Sequence, residues 1–175
     1  MPFLTRANIN PMNNKIVFKK VLREFSERLP KFSDGKIDYS NSNKAPVLTC
    51  FVKFENKILL LKRSDKVRAY QGLWNSVAGY LDEFRPLEEK AYEELREELG
   101  ITSDLIKQVT LGQPYELTDS KAQKIWVIFP MLVELNKEPV IKLDWEHTDF
   151  KWIDPAELKS FDIVPDLDKT LAKVL

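Results

Sequence analysis

Residues 79–101 read GYLDEFRPLEEKAYEELREELGI, and the rest of the fold can be built outward from them. Pro86 suits the first turn of a helix and Gly100 suits its end. The segment between them holds strong helix formers and no glycine,. One apolar stripe recurs every four residues, made by Leu87, Ala91, Leu95 and Leu99. The pattern predicts an amphipathic helix that follows a short loop.

A second face of this helix is acidic. Glu94, Glu97 and Glu98 stand at positions i, i+3 and i+4, so they share one patch of its surface,. Repulsion between them costs a few tenths of a kcal/mol per pair, which a solvated helix tolerates. A divalent cation would convert that repulsion into binding, because Mg²⁺ prefers carboxylates, waters and substrate phosphates. Periodicity alone therefore leaves two interpretations open, a solvated acidic face and a metal site.

The wider spacing resembles the signature of the Nudix hydrolases. That signature is a glycine, five residues, a glutamate, seven residues, and then Arg-Glu-apolar-X-Glu-Glu-X-Gly-apolar. The matching positions are Gly79, Glu94, Leu95, Glu97, Glu98, Gly100 and Ile101. Arg85 replaces the family's first glutamate, and Glu93 replaces its arginine. Because both charges change sign together, we predict that Arg85 and Glu93 form a salt bridge.

The resemblance extends over roughly residues 45–175. Residues 58–63 are similar to the family's second strand, residues 72–74 to its approach to the motif, and Glu146-His147 with Trp152 to its late loop and strand. It implies an α/β/α sandwich around a mixed sheet. Strands and helices interleave here without regular alternation, which independently favours the α+β class. We therefore expect an N-terminal extension over residues 1–44 and a Nudix hydrolase domain over residues 45–175.

The extension is predicted to contain an amphipathic helix over residues 15–29, ended by Pro30. Its apolar stripe consists of Phe18, Val21, Leu22, Phe25 and Leu29. This stripe must be buried, either on the domain or in a homodimer interface. Residues 31–44 are polar and are expected to form a linker.

The remaining elements follow from apolar runs and turn residues. Strands are predicted over residues 47–54, 57–62, 73–78, 105–111, 115–117, 124–135 and 150–153, and helices over 155–159 and 166–175. The run 124–135 is the most apolar, and Pro130 inside it predicts an edge position or a bulge,.

Composition excludes several classes of protein. Lys plus Arg and Asp plus Glu number 27 each, so no overall field favours nucleic acid or a membrane surface,. No run approaches the roughly 18 apolar residues of a membrane span, and the N-terminus lacks the apolar core of a signal peptide. The single cysteine, Cys50, lies in an apolar run and is expected to be a small buried residue,. These features favour a cytoplasmic protein.

The resemblance also implies a chemistry. Nudix enzymes hydrolyse the diphosphate linkage of nucleoside diphosphate derivatives, such as nucleotide sugars, ADP-ribose-like compounds or nucleoside triphosphates, with Mg²⁺ or Mn²⁺. It assigns metal binding to Glu94, Glu97, Glu98 and the backbone carbonyl of Ala78. The general base is then either a motif glutamate, Glu97 or Glu98, or Glu146 from the late loop.

Other polar and aromatic residues are less decisive. Arg63 is a candidate phosphate contact through its bidentate guanidinium. His147, the only histidine, is more often structural in such a context. Trp74, Trp126 and Tyr115 are candidates either for stacking on a base or for the core.

Two other functions are compatible with this fold. The departures at Arg85 and Glu93 are compatible with a degenerate Nudix module that binds a nucleotide or protein without turnover. Isopentenyl diphosphate isomerase shares the fold, but it needs a cysteine shortly after the tryptophan. Residues 75–78 read Asn-Ser-Val-Ala and supply none, which disfavours the isomerase.

Overall fold

A computed structural model describes residues 11–175. Its strands are β1 (Lys44–Phe54), β2 (Lys57–Arg63), β3 (Trp74–Asn75), β4 (Val77–Tyr80), β5 (Ile106–Leu111), β6 (Tyr115–Asp119), β7 (Lys124–Leu135) and β8 (His147–Ile153). Its helices are α1 (Pro11–Arg28), α2 (Leu87–Leu99) and α3 (Leu167–Leu171), with 3₁₀ turns at Ser103–Leu105 and Pro155–Ser160.

The sheet is mixed. Strands β1 and β7 run parallel at its centre, and Lys44 pairs with Ile125 at the start of their ladder. The other pairings between these strands are antiparallel: β2 and β4 join β1, β3 and β8 join β2, and β5 and β6 join β7. This arrangement agrees with the α+β class expected from the sequence.

The sheet has one helical layer on each face. Alternation along β1 directs Leu48, Cys50 and Val52 into the core beneath α1 and α2,. Phe51 points to the other face, into the core beneath α3 and the 3₁₀ turn at Pro155–Ser160. Cys50 is fully buried, as predicted.

Helix α2 forms as its sequence predicts. Its four stripe residues, Leu87, Ala91, Leu95 and Leu99, are all buried. Pro86 immediately precedes the helix, and Gly100 ends it in the left-handed conformation with φ of 69°,. The Gly100 N–H donates to the carbonyl of Arg96 at 3.0 Å. Packing of the stripe and the end at Gly100 together fix how α2 lies on the sheet.

Helix α1 covers the same face of the sheet as α2. Phe18, Leu22 and Phe25 are buried, and the Phe18 ring meets the Phe129 ring edge to face at 5.8 Å. The predicted stripe therefore packs on the domain itself, and its burial does not require a second subunit.

Residues 31–44 are more integrated than the predicted linker. Ile37 and Tyr39 are buried. The Ile37 N–H donates to the carbonyl of Asp82 at 2.8 Å, and the Tyr39 hydroxyl donates to the carbonyl of Leu81 at 2.7 Å. These contacts tie the segment to the loop that precedes α2.

The predicted edge position of Pro130 is wrong, because β7 lies inside the sheet. The antiparallel partner of β7 changes at this point, from β6, which pairs up to Ile128, to β5, which pairs from Met131. Gly112, between β5 and β6, donates its N–H to the Pro130 carbonyl at 2.9 Å. The N–H and C=O groups of a strand residue point to the same side. The N–H that proline lacks would therefore point to the place where β6 ends and β5 begins along β7.

Within residues 11–175, no helix has the length and apolar character needed to span a lipid bilayer.

Candidate active site

The loop between β4 and α2 brings the motif glycine against the acidic helix. A Cβ atom on Gly79 would lie 2.4 Å from Glu94 Oε1, well inside van der Waals contact. Any larger residue would force the Glu94 carboxylate to shift from this position. The spacing between Gly79 and Glu94 in the sequence thus corresponds to a direct contact in the fold.

A cavity of about 590 Å³ opens beside this contact. It is lined by Ala78, Gly79 and Glu94, by Arg63 at the end of β2, and by Glu146 in the loop before β8. An apolar wall is added by Val47, Ile128, Leu117, Val164 and Leu167. The structure therefore brings together four predicted site residues, Ala78, Glu94, Arg63 and Glu146, at a concave surface with polar and apolar parts.

The three motif glutamates lie in different environments. Glu94 lines the cavity, and its Oε1 is 2.6 Å from the Lys90 Nζ. Glu98 is 2% exposed; its Oε2 has no hydrogen-bond partner and lies 3.8 Å from His147 Nε2. The Glu97 side chain is 58% exposed and is 3.9 Å from Arg96. Glu94 thus lines the cavity, Glu98 is buried beside His147 and is not among the lining residues, and Glu97 faces solvent.

Burial and mutual repulsion raise the pKa values of the interior carboxyls. Burial raises the pKa of Glu98 well above its usual range, and the charges of Glu94, Glu146 and Asp144 add to the effect,. Burial also raises the pKa of Glu94, but Lys90 opposes that shift. Burial and repulsion therefore disfavour the negative charges of Glu94 and Glu98, and a bound cation would stabilise both carboxylates.

The donors present fit a hard divalent cation. Carboxylate oxygens are the ligands that Mg²⁺ and Mn²⁺ prefer, and Glu98 offers a buried oxygen without a partner,. In the part of the chain that the structure describes, no group of three or more Asp, Glu, His or Cys side chains is arranged so that it could hold a metal ion by itself. The residues fit a site that is completed by water and substrate oxygens.

The late loop is held against α2 and β2. The Asp144 N–H donates to the carbonyl of Glu98 at 3.1 Å, and the Ser64 N–H donates to the carbonyl of Glu146 at 2.7 Å. Burial raises the pKa of Glu146, as does Asp144, while Arg63 opposes the shift. A carboxylate with a raised pKa inside the cavity is suited to accept a proton near neutral pH.

Arg63 and His147 are paired across β2 and β8. The Arg63 Nε donates to the carbonyl of Ala69 at 3.0 Å. His147 is buried, with its Nδ1 3.3 Å from Asp144 Oδ1, and burial lowers its pKa. His147 thus lies behind Glu98 and does not line the cavity, consistent with a structural role.

Arg85 and Glu93 are in direct contact. The Arg85 guanidinium donates to Glu93 Oε2, and its Nε is 3.1 Å from Glu83. Glu93 Oε2 is also 3.2 Å from the Lys90 Nζ. The two departures from the motif are therefore joined in one charge network that reaches Glu94 through Lys90.

Several residues of the cavity were not identified from the sequence. Tyr70 has a positive φ of 59°; its hydroxyl donates to Asp119 and accepts from Trp126 Nε1 at 3.1 Å. Burial and the bond to Asp119 raise the pKa of Tyr70 to about 12. The loop position of Tyr70 gives no periodic signal. Lys90 was detectable in principle, because it lies one helical turn before Glu94.

The structure also separates the three aromatic candidates. Trp126 lines the cavity, and its ring is 6.1 Å from that of Tyr80, which also lines it. Trp74 packs on Phe161 in the core at 5.5 Å. The Tyr115 hydroxyl is hydrogen-bonded to Thr170. Of the three, Trp126 is the one placed to stack on a ligand.

A mixed sheet between two helical layers, with the motif glycine on β4 against an acidic helix beside a cavity, is the arrangement of a Nudix-type hydrolase. The model of the NUDIX domain matches residues 43–174, and the chain belongs to this family. The family and the class of enzyme expected from the sequence, a Nudix hydrolase, are thereby confirmed.

Individual relatives are more distant. The nucleoside triphosphatase NudI of Escherichia coli is 26% identical over 131 residues, covering 69% of this chain and 89% of the relative. The MutT NUDIX hydrolase from Burkholderia pseudomallei superposes with a TM-score of 0.61 at 21% identity, covering 75% of this chain and 98% of that one. The NUDIX domain of Shewanella oneidensis NrtR, complexed with ADP ribose, gives a TM-score of 0.62 at 14% identity, with coverages of 86% and 96%. The structural matches establish the fold.

Proposed function

We propose that the protein is a metal-dependent hydrolase that cleaves a phosphorus anhydride bond in a nucleoside triphosphate or another nucleoside diphosphate derivative. The observation that carries this proposal is the shared cavity. Glu94, Glu146 and Arg63 line it together with Trp126. Acidic, cationic and aromatic groups at one concave surface match the three parts of such a substrate, its metal, its phosphates and its base.

The polar part of the cavity provides the groups for the hydrolysis. Glu94 and Glu98, with the Ala78 carbonyl, would hold Mg²⁺ or Mn²⁺, which supplies charge neutralisation at phosphate and a more acidic bound water. Arg63 donates hydrogen bonds to a phosphate oxygen and orients the anhydride. Glu146 accepts the proton of the attacking water, for which its raised pKa is suited,. We assign Glu97, the exposed member of the motif, to a contact with metal or metal-bound water.

The apolar part of the cavity favours a base. Trp126 and Tyr80 both line the cavity, and Val47, Leu117 and Ile128 add apolar surface to it. A ring stacked on an aromatic residue contributes about 1–3 kcal/mol by alanine substitution in single-strand binders. The similarity to NudI supports nucleoside triphosphates as the first substrates to test.

The test is a substrate panel with the metal-free protein, in which nucleoside triphosphates, ADP-ribose and nucleotide sugars are each supplied with Mg²⁺ or Mn²⁺. Products are identified by ³¹P NMR, and hydrolysis in H₂¹⁸O shows which phosphorus is attacked. Turnover that needs the metal and falls in a Glu146→Gln variant supports the proposal. Turnover that persists in excess chelator contradicts it.

A degenerate binding module is the second candidate. Two observations favour a binding module: Lys90 already pairs with Glu94, and Glu97 faces solvent. Calorimetry on the same panel separates the two functions. Micromolar binding of ADP-ribose or a nucleotide without product formation would identify the module.

A further inference from the structure

Lys90 is a buried ammonium group inside the acidic site. It is 7% exposed, it lines the cavity, and its Nζ contacts two carboxylates, Glu94 Oε1 at 2.6 Å and Glu93 Oε2 at 3.2 Å. Burying an ammonium is costly unless its charge is paired, so both contacts hold it in place. The proposed hydrolysis assigns no role to this lysine.

The position of Lys90 bears on metal binding. Its Nζ contacts Oε1 of Glu94, the same oxygen that lies beside Gly79. A divalent ion bound at that oxygen would stand about one contact distance from the ammonium, where two positive charges repel strongly. The ion and Lys90 therefore compete for one carboxylate.

We propose that Lys90 is an internal counter-cation of Glu94 and weakens the binding of a divalent ion to the free protein. This inference rests on the proposed metal-dependent function. In the absence of an ion, Lys90 neutralises Glu94, which limits the repulsion between Glu94 and Glu98 inside the fold. The ion binds only by displacing the ammonium from Glu94 Oε1.

The test is the affinity of the metal-free protein for Mn²⁺ in the absence of nucleotide, measured from the electron paramagnetic resonance signal of free Mn²⁺. Lys90→Met removes the charge and keeps the length of the side chain. It should bind Mn²⁺ about tenfold more tightly than the wild type, which corresponds to about 1.4 kcal/mol. Lys90→Gln, which keeps a polar end, should show the same direction if the methionine variant folds poorly.

Two controls isolate the contact with Glu94. Lys66→Met removes a lysine that lines the same cavity but is exposed, and it should change the affinity by less than about twofold,. In a Glu94→Gln background, Lys90→Met should give no gain, because the shared carboxylate is gone.

Three outcomes overturn the proposal. If both Lys90 variants bind Mn²⁺ no more tightly than the wild type, Lys90 does not compete with the ion. A tenfold gain that persists in the Glu94→Gln background shows that Lys90 acts elsewhere. Failure of every variant and of the wild type to bind Mn²⁺ without nucleotide removes the competition in the free protein, whereas the metal-dependent function falls only if the substrate panel shows turnover without metal, so the two failures are distinguishable.

Discussion

The ion pair between Arg85 and Glu93 can be measured directly by a double-mutant cycle. The change is Arg85→Gln and Glu93→Gln, singly and together. The two side chains are 22% and 24% exposed, so the pair is more protected than a surface salt bridge, for which couplings of 0.2–1 kcal/mol are typical,. Each member keeps another partner, Glu83 for Arg85 and Lys90 for Glu93. We therefore expect a coupling energy of about 1 kcal/mol.

The assay is urea unfolding of the four proteins, with the turnover of the best substrate as a second readout. The matched control is the cycle for Lys107 and Glu134, an exposed pair on the sheet at 2.8 Å. Its coupling should be about 0.3 kcal/mol. If the coupling of Arg85 with Glu93 is no larger than that of the control, the paired sign change in the motif is unrelated to stability.

Charge reversal gives a sharper expectation than neutralisation. Arg85→Glu places a carboxylate beside Glu83 and Glu93, and Glu93→Arg places a guanidinium beside Arg85 and Lys90. Each single reversal should impair turnover. The double reversal should recover only part of it, because the introduced groups still face Glu83 and Lys90. Full additivity of the two losses would show that the pair does not orient the neighbouring Glu94.

Three further tests address the site and the extension. Glu97→Gln and Glu98→Gln should each lower kcat by about 100-fold or more while the fold survives. In metal-free protein, urea unfolding should show Glu98→Gln more stable than the wild type at pH 7–8. Because the pKa of Glu98 is raised in the folded state, the wild type loses stability as the pH rises from the usual carboxyl pKa of 4.5 through the folded-state pKa,. The advantage of the variant should therefore vanish below pH 4.5,. Glu146→Gln should lower kcat by about 10²–10⁴-fold with KM little changed, and a loss confined to KM would contradict its role as a base. Leu22→Ala should cost about 2–5 kcal/mol of unfolding free energy, whereas exposed Ile16→Ala should stay within about 0.5 kcal/mol; equal effects would mean that α1 does not pack as described,.

The elements that the sequence predicted well are those with local signals. Helix α2 has an apolar stripe, a proline before it and a glycine after it, so its limits follow from residues in the helix and directly next to it,. The hairpin of β1 and β2 and the long strand β7 are continuous apolar runs bounded by polar turns. The spacing of the glutamates located the acidic face for the same reason.

The features that the sequence did not reveal depend on distant parts of the chain. Ile37 and Tyr39 are isolated apolar residues in a polar stretch, and their burial comes from contacts with Leu81 and Asp82. Pro130 marks a change of strand partner that no local pattern encodes. Periodicity likewise placed the three glutamates on one face, but it could not show that one of them faces solvent, since that depends on how α2 packs.

Tyr70 was missed for a related reason. Tyr70 and Trp126 meet through a hydrogen bond that spans 56 positions of the sequence. A polar network of this kind has no period. It can be found only once the strands and loops that carry its members are in place.

The parallel pairing of β1 with β7 has a kinetic consequence. The paired residues lie about 80 positions apart, and the intervening chain contains α2 and the five strands β2 to β6,. The hairpin of β1 and β2 can form early, whereas the parallel ladder must wait for closure of this long loop. Glu94 belongs to the intervening segment and Trp126 to β7. The polar and aromatic halves of the cavity therefore meet only at the late step of folding, and an intermediate that lacks the central ladder would have neither a complete cavity nor the ability to hold a nucleotide.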